Sequence, residues 1–297
     1  MTTAEHTTPE QLRHDAEEAA TGFPALMAAA DQLAATISLG AHGRRRSGPG
    51  DEFWQYRIAG AGDSLRDIDW RRSARADADF VRQMEWQNLQ AVHLWVDRSA
   101  AMGYRGKDSL PSKGERARIL GLATAILLAK GGESVGLMED PNPPKHGRGQ
   151  ITKMAMRLAV AGGQTEYGVP PGKDMGRGNR ALLISDFLGD WDHVLAALSR
   201  AADQRVQGCL VQVLDPSEES FPFDGRTIFQ SMGESINFET RRARALRDDY
   251  LARLAERKDQ LDSLARRTGW MYLCHHTDQP AQTALMWIYN AIAGPSR

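Results

Sequence analysis

The sequence predicts an α/β domain organised on a mostly parallel sheet. Two observations predict it. From residue 91 onward, short apolar runs alternate with helical stretches, and such alternation implies right-handed crossovers between parallel strands. Three of the apolar runs also stop on an acid: Val92–Val96 on Asp97, Arg180–Ser185 on Asp186, and Gly208–Leu214 on Asp215. Ligands of open α/β sheets sit beyond the carboxyl ends of the strands, so a polar crevice is expected where those carboxylates gather.

The elements follow in order. Residues 9–38 read as helical, with Thr8 as cap, Pro9 in the first turn and Leu12, Ala16, Ala19, Phe23, Leu26, Met27, Leu33 and Ile37 at helical spacing. Pro24 divides the stretch into two helices. Residues 1–40 are thus expected as a helical N-terminal extension, and the glycines and proline of Gly40–Gly50 mark a loop.

Residues 41–90 are rich in Arg, Asp and Trp, with nine arginines, no lysine and eight acids. Arginine in such balance favours fixed bidentate ion pairs over a solvated basic tail. A strand is expected at Phe80–Trp86. The α/β domain proper, residues 91–297, begins with the central strand. It continues with a helix over Lys113–Lys130, a strand at Glu133–Met138, a helix at Ile151–Ala161 and a Gly/Pro-rich loop over Gly162–Gly178. After the strand at Arg180–Ser185 come a helix at Trp191–Arg205, the strand at Gly208–Leu214 and hairpin character over 219–238. A long helix at Thr240–Thr268, a strand at Trp270–Cys274 and a helix at Pro280–Ala293 close the chain.

Composition narrows function. Lys plus Arg number 37 against 38 Asp plus Glu, a formal net charge of −1, which argues against a polyanion-binding protein. The polar first residues carry no apolar h-region, and the longest nearly apolar run, Ile119–Ala129, is too short to cross a bilayer. A cytoplasmic location without direct membrane insertion is expected, with Cys209 and Cys274 as reduced thiols. Arg44-Arg45-Arg46 reads as a solvated loop. His275 and His276, as strand neighbours, point to opposite faces and do not converge on one ligand.

Val96–Met102, VDRSAAM, resembles the D-x-S-x-S metal-ion-dependent adhesion motif of von Willebrand factor A domains. The stretch Gly62–Arg75, with EFWQYR at 52–57, GGQT at 162–165, LISDF at 183–187 and LDPSEESFPFDG at 214–225, resembles the domain of unknown function 58 family, a group of bacterial von Willebrand A-like proteins. The resemblance implies a Rossmann-like fold and partnership with a MoxR-type AAA+ ATPase and its client protein. In that partnership the two proteins act together in the maturation of other proteins.

The family pattern carries a metal onto Asp97, Ser99, Thr165 and Asp186, but Ala101 stands where a second serine ligand belongs. A hard Mg²⁺ or Mn²⁺ ion needs about six oxygen ligands, so that loss makes the site degenerate. Without metal, the carboxylates are expected to accept an Arg or Lys from a partner. Taken singly, these residues also suit strand-end capping. Arg66, Asp69, Trp70, Arg72 and Arg75 read as a buried ion-pair clasp, or else as a docking surface for the ATPase.

The expected function is a non-enzymatic interaction module, an adaptor or co-chaperone of the ATPase. A metal-dependent hydrolase at the same carboxylates is the alternative, although no separate base or nucleophile stands out. A nucleic-acid-associated protein is the third reading.

Overall fold

A computed structural model of the protein describes residues 26–37, 53–60, 64, 68–75, 78–84, 91–160, 165–225, 227–230, 237–240 and 243–293. The chain divides into two compact units, residues 1–39 with 90–297, and residues 40–89.

In the larger unit, five strands form one parallel sheet: β3 (Ala91–Val96), β4 (Ser134–Leu137), β5 (Arg180–Ser185), β6 (Gln207–Leu214) and β9 (Met271–His276). Their spatial order is β4-β3-β5-β6-β9, and every pairing is parallel. The chain steps from β3 outward to β4, then returns to the other side of β3 as β5. The order therefore reverses between β3 and β5, the switch point at which such sheets open a binding crevice.

Alternation along the strands builds a core on each face of the sheet. Val92, Leu94 and Val96 of β3, with Leu182 and Ile184 of β5, pack under α1 (residues 26–35), α3 (Lys113–Lys130), α4 (Arg148–Ala159) and α8 (Ala281–Ala293). Trp95, Ala181, Leu183 and Leu210 face α5 (Trp191–Asp203) and α7 (Ala243–Thr268). The nine successive residues from Leu120 to Leu128 are all buried. The helix is therefore enclosed on nearly all sides along this stretch, because neighbouring helices cover what the sheet does not. Ala30 and Ala34 of α1 are fully buried in the first core, so this helix belongs to the α/β unit rather than to a separate extension. Residues 9–25 lie outside the described residues.

The smaller unit pairs β1 (Phe53–Ile58) antiparallel with β2 (Phe80–Met84), and a one-turn helix α2 (Trp70–Ser73) lies in sequence between them. Pro216–Ser220 forms a short helix α6 where hairpin character was expected to begin; the hairpin itself is β7 (Thr227–Gln230) with β8 (Asn237–Thr240). Residues 165–178, the described part of the Gly/Pro-rich loop, contain no helix.

Candidate functional site

The switch point between β3 and β5 carries the two acids that the apolar runs announced. Val96 pairs with Ile184 in register, and the Asp97 amide donates to the Ile184 carbonyl at 2.8 Å. Asp97 and Asp186 thus leave adjacent strands side by side. Each closes a local turn, with Ser99 N–H donating to Asp97 Oδ1 at 2.8 Å and Leu188 N–H to Asp186 Oδ1 at 3.0 Å. Asp215, at the end of β6, does the same for Ser217 N–H at 2.9 Å. A short acid bonding the amide two residues on is the ordinary way to end a strand in a turn.

These carboxylates are not an open crevice. Asp97 is 2% exposed, and Asp186 and Asp215 are 1% exposed. The second oxygen of Asp97 accepts the Ser185 hydroxyl at 2.6 Å. Burial raises the Asp97 carboxyl above its usual value, against the bonds from Ser185 and Ser99, and the neighbouring Asp186 charge adds to the rise. The loop carrying Gly168 covers it: a β-carbon there would lie 2.2 Å from Asp97 Oδ1, so only glycine allows this approach.

Asp186 has a cation built into the chain. Lys113, the first residue of α3, is 2% exposed and donates from Nζ to Asp186 Oδ2 and to Glu218 Oε1, both at 2.8 Å. Burial alone would lower the ammonium's pKa; Asp186 and Glu218 together outweigh it and lift it above the ordinary lysine value. Glu218 is itself raised, burial prevailing over Lys113. Glu218 reaches this point because α6 is closed by a reciprocal cap: Asp215 N–H donates to Glu218 Oε2 at 2.8 Å, and the Asp215 side chain accepts from the first turn of α6. Gly106 N–H also donates to Asp215 at 3.0 Å. Burial would raise Asp215, but the bonds from Ser217 and Gly106 hold it below the usual carboxylate range.

The metal-ligand pattern can be tested against this geometry. Ser99 Oγ is buried without a well-formed hydrogen bond, which is the one feature that favours an ion. The remaining donors do not fit one. Ala101 offers no oxygen, both Asp186 oxygens are taken, by the Lys113 ammonium and by Leu188 N–H, and both Asp97 oxygens accept protein hydrogens beneath Gly168. Thr165 is exposed, and what it brings to the cluster is its carbonyl, which accepts from Ala100 N–H at 3.0 Å. Asp97, Ser99, Thr165 and Asp186 therefore lie at one edge of the sheet, but each is held by protein hydrogen bonds: Asp97 by Ser99 and Ser185, the Thr165 carbonyl by Ala100, and Asp186 by Leu188 and Lys113. The cation expected from a partner comes from α3 of the same chain.

Sequence reading missed Lys113, Ser185, Gly168 and Glu218. One signal pointed to Lys113. Ser112 and Glu115 form a capping box that fixes the start of α3, and a lysine in a first turn faces the positive end of the helix dipole. Such a residue, if buried, must find acids.

In the smaller unit, Asp69 caps α2 by accepting Arg72 N–H at 3.1 Å, and Tyr56 OH donates to its other oxygen at 3.1 Å. The Arg72 guanidinium lies 4.2 Å from the centre of the Tyr56 ring. Trp70 is 57% exposed, and Arg72 and Arg75 are exposed. The described part of the segment is a capped turn with a cation–π contact that presents Trp70, Arg72 and Arg75 to solvent. Its short helix leaves the Trp70 and Arg75 side chains outward. Arg66 lies outside the described residues.

Among similar proteins are Uncharacterized protein Rv1480 of Mycobacterium tuberculosis (strain ATCC 25618 / H37Rv) and Uncharacterized protein Mb1516 of Mycobacterium bovis, each 27% identical over 294 residues, covering 91% of this chain and 89% of the relative. Among solved structures, an aerotolerance-related membrane protein from Bacteroides fragilis matches with a TM-score of 0.39 at 17% identity, over 68% of this chain and 98% of that one. BatB from Bacteroides thetaiotaomicron, a conserved hypothetical protein, matches with a TM-score of 0.36 at 15% identity, over 67% of this chain and 96% of its own. Among the described residues, no helix is long and apolar enough to cross a membrane. Residues 55–260 match the family described as Protein of unknown function DUF58, and with most of its length inside that match the chain belongs to this family.

Proposed function

We propose that this protein is a non-enzymatic interaction module of von Willebrand A type, working in the cytoplasm. Its partner is a MoxR-type AAA+ ATPase, which it assists in the maturation of a client protein. The observation that carries the reading is the loop above the switch point. Tyr167 and Val169 flank Gly168, are 40% and 50% exposed, and stand on a base fixed by the Asp97 network. Tyr167 is seated by Gly189, where a β-carbon would meet the tyrosine Cβ at 2.8 Å. A half-exposed aromatic held on a rigid support is the kind of group that anchors protein interfaces.

In this reading the carboxylates and Lys113 shape the edge of the sheet instead of offering an open coordination position. Recognition is then independent of a metal at Asp97 and Asp186. The hydrolase reading is disfavoured because both acids are committed to internal partners and neither stands free to move a proton.

Binding of the full-length protein to the host's purified MoxR-type ATPase, loaded with a non-hydrolysable nucleotide, tests the proposal. The double variant Tyr167→Ser/Val169→Ser is expected to bind at least tenfold more weakly with unchanged melting temperature. Lack of wild-type binding, or equal binding by the variant, would overturn it.

A further inference from the structure

We propose that Glu219, Cys274 and His276 form a site, apart from the switch point, that binds a borderline transition-metal ion of the Zn²⁺ class. On β9 the side chains alternate, so Cys274 and His276 share one face while His275 turns to the other and meets Arg116, whose Nη1 lies 3.3 Å from its Nε2. Glu219 arrives from α6, and one donor atom from each of the three residues lies within 4.8 Å of the others. His276 Nε2 is 2.9 Å from Glu219 Oε2. All three residues are half-buried, so an ion can enter while water is partly excluded.

Sulfur, imidazole nitrogen and a carboxylate oxygen suit Zn²⁺, with a fourth position left for water. Sulfur disfavours Mg²⁺ and Ca²⁺. Lys258 pairs with Glu219 Oε1, which turns Oε2 toward His276. The lysine stands in the role that outer hydrogen-bond donors play around metal-binding carboxylates. Burial raises the Cys274 thiol, against the nearby Lys258 charge. Binding therefore releases the thiol proton to solvent as the Cys274–metal bond forms, and affinity rises with pH.

The test titrates Co²⁺ into the full-length protein under reducing conditions and follows absorption. One equivalent is expected to give a thiolate-to-cobalt charge-transfer band with tetrahedral d–d bands, and Zn²⁺ to displace both. Cys274→Ser should abolish the charge-transfer band. His276→Gln and Glu219→Gln should each weaken binding by more than about 100-fold, beyond what losing an outer contact costs. Lys258→Met should retain binding. Should Cys274→Ser fail to fold, alkylation of the wild type serves instead: Zn²⁺ is expected to protect Cys274, while Cys209, fully buried, stays unreactive with or without the ion. No charge-transfer band, a band that survives Cys274→Ser, or alkylation indifferent to Zn²⁺ would overturn the site.

Discussion

Replacing Lys113 with Met removes the ammonium while keeping most of the buried stem. Two hydrogen bonds of 2.8 Å are lost, and the carboxylates of Asp186 and Glu218, 2% and 11% exposed, are left facing each other without a cation. Stranding buried charge in this way costs about 3–5 kcal/mol, a large fraction of the stability of an ordinary domain. The sign of the pH dependence follows from the same geometry. Without the ammonium, the Glu218 carboxyl, which burial already raises against the Lys113 charge, rises further. The variant is then least handicapped at low pH and loses stability as pH rises through the Glu218 titration. Adding Asp186→Asn and Glu218→Gln removes both charges and should bring the triple variant back to within about 1.5 kcal/mol of wild type, since a neutral buried group needs no counter-charge. Urea unfolding at pH 5 and pH 7, followed by far-ultraviolet circular dichroism, measures all three proteins. A single-variant loss below about 1 kcal/mol, or a triple variant no better than the single, would refute the claim that Lys113 neutralises this edge.

Three further outcomes are expected. Isothermal titration of Mg²⁺ and Mn²⁺ should show no binding at the strand ends, and Ala101→Ser should not create it, because the restored hydroxyl leaves the Lys113 ammonium in place; stoichiometric binding by Ala101→Ser would show that the missing serine alone had mattered. Gly168→Ala would place a β-carbon 2.2 Å from Asp97 Oδ1. The forced loop shift should cost about 1–3 kcal/mol in thermal or urea unfolding. His93, 3% exposed in the centre of the sheet, has its pKa lowered from 6.5 to about 4, by burial first and by the Lys173 charge second. Its neutral form is favoured by folding, so stability is fully present above pH 6.5 and falls as pH drops toward 4, by at most about 3 kcal/mol from this residue. His275 is lowered to about 4 as well, by burial, Arg116 and His276. His93→Leu should therefore flatten the acid limb of a pH–stability curve only in part, and an unchanged limb would show that folding does not move the His93 pKa from its unfolded value.

Much of the sheet was legible because its strands are buried on both faces and so are written as short apolar runs. LLIS before Asp186 and VQVL before Asp215 read directly, and their acids mark the turns. What escaped was written in another code. β1 has no clean alternation, and its partner β2 lies more than twenty residues away. The α6 segment PSEES looks like loop by composition, yet its helix depends on the Asp215–Glu218 reciprocal cap. At the site, sequence spacing named the acids, but Lys113 is 73 residues from Asp186 and 105 from Glu218, and nothing in a linear pattern joins them. Thr165 was chosen for its hydroxyl, whereas the fold uses its carbonyl. The exposure of Trp70 was equally hidden, since a large aromatic is more often buried than not.

The five-residue α6 carries two adjacent glutamates that pull in different directions, Glu218 onto Lys113 and Glu219 onto Lys258 and His276. A segment so short has no room to absorb a displacement between them. Tightening the grip on one glutamate therefore drags the other, and the middle of the sheet's rim, at β5, and its edge, at β9, are geared to each other through a single turn of helix.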